Sequence, residues 1–338
     1  MKIIIPMAGM GSRLRPHSLT TPKPLTIIAG KSIVQRLVEE IAKVVKQEIE
    51  EIAFIIGPAS KGFPADSENH LKEIANGINA KARVFVQEEA LGNAHAIQCA
   101  KEVLTGPCVV AFADTLFRAD FTMNESADGV ILVKQVEDPS AFGVVNTKDG
   151  YITEFVEKPD DFVSDLAIIG IYYFKDAAIV RDEIQYLIDN NITDKGEFQL
   201  TNALENMKQK GMKFVPGEVE EWMDCGNKKD TVDTNAKVLK LLHKEGRELV
   251  SKSVILENAT IIPPCYIGEN VVLKNTAIGP NVSLGANSIV ESSRIDNSLI
   301  QSNVKIESAN LSNAMIGHHA KYNGKYTSVS IGDYSELV

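Results

Sequence analysis

The chain has 338 residues, 44% hydrophobic and 24% charged, with a formal net charge of −10 at neutral pH. That length predicts about two domains with enough apolar material for a sizeable core, which excludes a disordered chain. The acidic balance argues against nucleic acid, which calls for broad positive patches, and no segment approaches the ~18 uninterrupted apolar residues of a membrane helix, so no membrane partner is expected.

The first predicted element is a buried strand at Ile3-Ile4-Ile5, which runs into Pro6-Met7-Ala8-Gly9-Met10-Gly11-Ser12-Arg13-Leu14 and then Thr21-Pro22-Lys23-Pro24-Leu25. The opening apolar run is too short for a signal peptide and is broken by Pro6 and Gly9, so a cytoplasmic location is expected. Glycines at 9 and 11 allow backbone N–H groups to approach a phosphate chain without Cβ interference, while Arg13 and Lys23 supply neutralising charge. A dinucleotide fingerprint would need glycine where Leu14 stands. A P-loop ending in Gly30-Lys31-Ser32 would need glycine where Leu25 stands.

Ile33, Leu37, Ile41, Val44 and Val45 recur at helical spacing, and a strand follows over 51–56. The alternation continues with a helix near Leu71, Ile74 and Ile78, a strand over 83–87, a helix over 93–104 and a continuous apolar strand over 108–113. Continuous apolar strands alternating with helices predict a parallel sheet covered on both faces. In such a sheet the Gly9–Arg13 loop, Gln87 and Asp114 all fall at carboxyl ends of strands, where ligands bind. Strand-rich segments follow over 130–136, 142–146, 151–157 and 167–174, with a hairpin turn at Asp149-Gly150. Helices over 176–189 and 199–210, a strand near 213–216 and a polar helix over 228–245 complete a first domain, 1–245.

The rest of the chain is rich in Asn, Ser and Gly. Ile261, Ile267, Leu273, Ile278, Leu284, Val290, Ile295, Ile300, Ile306, Leu311 and Ile316 follow one another at steps of five or six residues. This is the hexapeptide repeat of a parallel β-helix over 253–338, with each anchor pointing into a narrow prism. Gly268-Glu269-Asn270, Gly279-Pro280-Asn281 and Gly285-Ala286-Asn287 fit its corners, because Gly and Asn tolerate left-handed backbone. Cys99, Cys108, Cys225 and Cys265 form no metal or disulfide pattern and are expected to be buried or incidental thiols.

Gly-x-Gly-x-Arg-Leu-x-Pro followed by Pro-Lys-Pro resembles the signature of the sugar-1-phosphate nucleotidylyltransferases, and further motifs of that family occur in order. These are Gln87 with Leu91-Gly92-Asn93-Ala94-His95-Ala96, Ala113-Asp114, Phe142-Gly143-Val144-Val145, Glu157-Lys158-Pro159 and Trp222-Met223-Asp224-Cys225-Gly226. The resemblance implies a Rossmann-like domain with a mixed sheet, followed by a left-handed β-helix. It implies that a nucleoside triphosphate and a sugar 1-phosphate give a nucleotide sugar and diphosphate, with dTTP or UTP and glucose 1-phosphate favoured. On that resemblance Arg13, Lys23 and Lys158 are the catalytic cations. Ala8, Gly9, Gly11, Ser12, Gln87 and Gly92 bind the nucleotide, and Gly143, Glu157 and Lys158 bind the sugar phosphate. Asp114 and Asp224 hold Mg²⁺, whose role is to neutralise two approaching anions. A homo-oligomer is expected, with the β-helix serving assembly or regulation and contributing no catalytic group.

Ala113 and Cys225 depart from the usual glycine and threonine of the family, and Glu88-Glu89 adds two acids beside Gln87. None of these removes a metal ligand or phosphate contact. The competing readings are a mannose-1-phosphate guanylyltransferase and a non-catalytic homologue that binds nucleotide sugars. A bifunctional acyltransferase is disfavoured, because His318-His319 reads as a solvated corner.

Overall fold

The computed structural model describes residues 1–9, 11–59, 63–64, 66–119, 124, 126–324 and 330–337. Met10 of the loop motif and residues 325–329 and 338 of the repeat region lie outside the described residues.

In chain order the first elements are β1 (Lys2–Pro6), β2 (Ile27–Ile28), β3 (Lys31–Ser32), α1 (Ile33–Val44), β4 (Glu51–Ile56), α2 (Ser67–Asn76), β5 (Lys81–Val86), α3 (Asn93–Gln98), β6 (Cys108–Ala111) and β7 (Thr115–Arg118). They are followed by β8 (Gly129–Gln135), β9 (Val144–Lys148), β10 (Tyr151–Val156), β11 (Leu166–Phe174), α4 (Ala177–Asp189), α5 (Leu200–Gln209), β12 (Phe214–Glu218), β13 (Glu221–Asp224) and α6 (Lys228–Lys244). The chain divides into two compact units, 1–9 with 37–222 and 10–36 with 223–338. This division is not a single cut along the chain, because the segment carrying the signature loop groups with the C-terminal part.

The first unit is built on a mixed sheet. Its path runs β10-β9-β11-β6-β1-β4-β5, with β8 paired to β11 and β12 paired to β8. Strands β6, β1, β4 and β5 are parallel, as the apolar runs of β6, β1 and β4 predict; β5, with Lys81 and Arg83, is the edge strand. β11 runs antiparallel to β6, β8 and β9. The β9–β10 hairpin turns through Asp149 and Gly150, both with positive φ (53° and 82°), which is the two-residue turn that suits the twist of paired strands. One apolar cluster joins Ile4, Ala53, Ile97, Val110, Ile131, Tyr172, Ile184 and Leu204, so sheet and helices share a core.

Two elements end sooner than their sequence suggests. The helix expected over 93–104 stops at Gln98 and gives way to a short 3-10 turn, Lys101–Val103, before Gly106 and Pro107 return the chain to the sheet. β6 ends at Ala111; the Phe112 N–H still donates to the carbonyl of Gly170, and there β11 kinks at a positive φ of 82° and the ladder stops. Asp114 therefore occupies a turn between β6 and β7 and does not end a strand.

In the second unit, residues beyond 253 form a parallel β-helix. One sheet stacks Ile267, Leu284, Ile300, Ile316 and Ile331 in register. Another carries Leu273, Val290, Ile306 and Tyr322, and a third column runs Ile261, Ile278, Ile295 and Leu311. The anchors from Ile267 to Ile316 are all buried, and Ile261, on the first coil, is partly covered. The corners are left-handed residues stacked coil over coil. Asn270, Asn287, Asn303 and His319 form one such column, with φ between 55° and 62°, and Asn281, Asn297 and Asn313 form another. Asn258 donates to Asn275 at 2.9 Å and Asn270 to Asn287 at 3.2 Å, so the corner amides bond up the stack. Gly268 and Gly285 serve a different purpose. A β-carbon there would meet the backbone of the next coil, Ala286 N at 2.6 Å or Ser302 N at 2.5 Å, so glycine is set by close approach and not by φ. His319 stacks on Tyr334 with centroids 4.5 Å apart.

Candidate active site

The site residues expected from sequence fall into groups within each unit. In the first unit, β1 delivers Ala8 and Gly9. The Met7 N–H donates to Ile55 O at 2.8 Å, and the Ala8 carbonyl approaches Gly57 so closely that a β-carbon there would meet it at 3.2 Å. No described heavy atom lies within 4 Å of where a Gly9 β-carbon would stand, so the protein's own packing does not demand that glycine.

Gln87 follows β5, and its main-chain N–H continues the ladder to Ile56 O at 2.9 Å. Its side chain is buried, and its amide nitrogen donates to Gly92 O at 3.1 Å and meets His95 Nδ1 at 3.1 Å. The Gly92 carbonyl can only accept, which fixes the amide orientation and makes His95 Nδ1 an acceptor in the neutral ring. Burial holds the His95 pKa below the ordinary histidine value, against the opposing pull of Glu89. Both amide hydrogens are thus committed, and Oε1 is left as the group available to a ligand. Gly92 has φ of 112°, and a β-carbon there would fall 2.4 Å from Phe198 O, so packing on the Phe198 backbone requires this glycine.

Glu157 follows β10 and accepts from Thr201 Oγ1 at 2.6 Å, while Lys158 Nζ lies 3.5 Å from its other oxygen. A β-carbon on Gly143 would stand 3.1 Å from Glu157 Oε2, so Gly143, Glu157 and Lys158 do come together. Lys158 has φ of 36°, a conformation that costs a non-glycine residue about 1–3 kcal/mol and tends to persist at functional sites. Asp114 is half-buried nearby. Burial first, then the carboxylates of Glu157 and Asp114, push the Tyr172 phenol above its ordinary range, so these acids share the field around one ring.

In the second unit, Gly11 adopts φ of 57° and begins the 3-10 turn Ser12–Leu14, leaving Ser12 and Arg13 exposed. A β-carbon on Gly11 would meet Lys23 Cβ at 3.0 Å, which places the largely buried Lys23 against the loop. Asp224 is held at the end of β13, where its carboxylate accepts from the Gly226 N–H at 2.9 Å and its carbonyl accepts from Thr234 Oγ1 at 2.6 Å. A β-carbon on Gly226 would lie 2.9 Å from Asp224 Oδ2 and 3.4 Å from Arg13 Nη2, so this bare Cα keeps open the space shared by carboxylate and guanidinium. Asn227 then caps α6, its side chain accepting from the Asp230 N–H.

Sequence reading missed several of these residues. Thr201, Tyr172 and Gly57 act through contacts made only in the folded sheet, and no spacing rule singles them out. His95 lay in a recognised motif, but its role as acceptor for Gln87 needed the geometry. None of the four cysteines is joined in a disulfide. Cys108, Cys225 and Cys265 are buried, and burial pushes the Cys108 thiol up to about 12. Among the described residues no cluster of three or more His, Cys, Asp or Glu forms a metal cage, and no helix is long and apolar enough to cross a membrane.

A mixed sheet whose parallel strands lead from β1 into a glycine-bearing loop is the architecture of nucleotide-binding α/β proteins. The nucleotidyl transferase family matches residues 2–241, and the chain belongs to that family. It is 30% identical over 271 residues to a low-salt glycan biosynthesis nucleotidyltransferase of Haloferax volcanii, covering 77% of this chain and 71% of that protein. It is 29% identical to the bifunctional protein GlmU of Methanococcus aeolicus over 78% of this chain, and spans 60% of that relative's length. A crystal structure of a UDP-glucose pyrophosphorylase with UDP-glucose superposes with a TM-score of 0.58 at 25% identity, covering 71% of this chain and 98% of that one.

Proposed function

We propose that the protein joins a nucleoside triphosphate to a sugar 1-phosphate, releasing diphosphate, with dTTP or UTP and glucose 1-phosphate as the substrates. The observation that carries the choice of base is the locked Gln87 amide, whose open Oε1 accepts a hydrogen bond from the N3–H of uracil or thymine. Cytosine and adenine lack a proton at the corresponding ring nitrogen. With either of them Oε1 would stay unpaired at a cost of about 1–3 kcal/mol, a tenfold to hundredfold preference. In this reading the amide contributes an acceptor alone, its two hydrogens being taken by Gly92 O and His95 Nδ1. Guanine carries a proton at N1, so a guanylyltransferase is the second reading that the same acceptor favours.

The remaining roles follow the groups described above. Arg13 and Lys23 neutralise the triphosphate, with Ala8, Gly9, Gly11 and Ser12 lining its path and Gly92 beside the base. Gly143, Glu157 and Lys158 hold the sugar phosphate, whose dianion needs no strong general base to attack the α-phosphorus. Asp114 and Asp224 fit Mg²⁺ by donor type, being hard carboxylate oxygens that leave positions for water and phosphate. When bound there, the ion supplies charge neutralisation between the two anions. Catalysis is then positioning and electrostatic stabilisation. We assign these roles to residues 1–245 and the β-helix to 253–338, with a homo-oligomer as the working assembly.

The test is diphosphate release with Mg²⁺ over a grid of UTP, dTTP, GTP, CTP and ATP against several sugar 1-phosphates. Turnover with UTP or dTTP at least tenfold above CTP and ATP is expected. A kcat/KM for GTP equal to or above that of the pyrimidines would move the assignment to a guanylyltransferase. Preferred use of CTP would overturn the reading of Gln87.

A further inference from the structure

The outward column on one face of the β-helix runs Tyr266, Ser283, Leu299, Met315 and Ser330 in register. Such side chains point away from the prism and should meet water, yet Ser283, Leu299 and Met315 are each no more than 3% exposed. Within this unit two segments lie along that face. The first is the signature segment. The Tyr266 ring packs on Gly30, where a β-carbon would fall 2.5 Å from Cε2, and Gln301 Nε2 donates to Ile27 O at 3.1 Å. Ser330 Oγ meets His17 Nε2 at 2.8 Å, and Gly332 abuts Pro16. Asp333 ties the end of this segment to the last coil. One of its oxygens accepts from Thr21 Oγ1 at 2.9 Å and from Thr20 Oγ1, and the other accepts from the His318 N–H at 2.6 Å. The second segment is α6. Ser283 Oγ donates to Asn235 Oδ1 at 2.5 Å, and the preceding residue of the helix, Thr234, donates its hydroxyl to the Asp224 carbonyl.

We propose that this face of the β-helix is a positioning template for nucleotidyl transfer. It fixes the 11–32 segment, and with it Arg13 and Lys23, in register with the Asp224 loop, while contributing no reacting group. The C-terminal domain then has a part in the reaction beyond the assembly or regulatory role expected from its sequence. Contacts from three different coils converge on one loop, so the loop's conformation depends on the stacking of the whole helix and not on its own short turns. Asp333 is the central positioning residue, because one carboxylate gathers two loop hydroxyls and a coil N–H. The inference rests on the proposed roles of Arg13, Lys23 and Asp224.

The test compares Thr20→Val/Thr21→Val with Thr20→Ser/Thr21→Ser and Asp333→Asn in the full chain. The serines keep the hydroxyl donors, whereas valine removes them. Initial rates are measured with nucleoside triphosphate and sugar 1-phosphate varied in turn, and hydrogen exchange is followed over residues 11–26. The valine pair and Asp333→Asn should lower kcat/KM for the triphosphate at least tenfold, leave KM for the sugar phosphate within twofold, and speed exchange in that segment. The serine pair should restore both. Wild-type kinetics and exchange in a folded valine pair would overturn the template, as would equal damage from the serine pair. Arg13→Ala separates the two claims. If it is inactive while the valine pair turns over normally, the template fails alone; if it is fully active, the assignment of Arg13 fails, and the exchange data still decide whether the coil holds the loop.

Discussion

Gly226→Ala isolates the geometry of the Asp224 carboxylate without removing it. The backbone at Gly226 lies outside the left-handed region, so alanine is accepted there without φ strain. The new β-carbon would stand 2.9 Å from Asp224 Oδ2, 3.2 Å from Oδ1 and 3.4 Å from Arg13 Nη2. Relieving that contact moves the carboxylate back by about 0.5 Å. An off-rotamer aspartate costs about 0.5–1.5 kcal/mol, and the Gly226 N–H bond to Oδ1 lengthens at the same time. The stability loss should therefore be about 1 kcal/mol, or roughly 2–4 °C in a domain of this size. On the proposed role of Asp224 at the metal, catalysis should suffer more, because loss of the arrangement that orients a metal ligand typically costs about 10–100-fold. Diphosphate release titrated with Mg²⁺, alongside a thermal melt, separates the two effects. Wild-type activity and an unchanged Mg²⁺ midpoint would refute the placement of Asp224 at the metal, and a collapse in melting temperature would show that the clash is not confined to a movable carboxylate.

Asp114→Ala and Asp224→Ala should each lower kcat by about 100-fold or more, near 3 kcal/mol, with the fold intact by circular dichroism; turnover at near wild-type rate in either would remove it from the metal site. Lys158→Ala should raise KM for the sugar phosphate, and Arg13→Ala should impair use of the triphosphate. Equal effects of both variants on both substrates would deny that division. His17 is buried with Nδ1 unpartnered, and burial, reinforced by Lys228 and opposed by Asp333, lowers its pKa to about 4. The unfolded chain then takes up this proton first. Stability is complete above pH 6.5 and falls by up to about 3 kcal/mol as pH drops toward 4. Denaturant melts at pH 7 and 4.5 should show a difference that His17→Phe reduces, and an unchanged difference in that variant would exclude His17 as its source.

Much of this protein is legible in one dimension because its signals are local. Alternating apolar strands and helices set a parallel sheet, since a strand covered on both faces must be apolar throughout. The β-helix is legible because each coil repeats the same demand, an inward anchor every five or six residues and a left-handed corner between, which Asn can satisfy. The signature glycines and cations announce a phosphate loop for the same reason: the loop's chemistry is contained in one short segment. Tertiary structure decided what depends on residues far apart. The orientation of the Gln87 amide required His95 and the Gly92 carbonyl together, and the field around Tyr172 required acids from two separate connections. The glycines at 92, 226 and 285 are dictated by neighbours across space, which no motif spacing encodes. The contact between the last coil and the 11–32 loop joins residues more than 300 positions apart, and only folding brings Asp333 to two threonines that sequence alone reads as an ordinary turn.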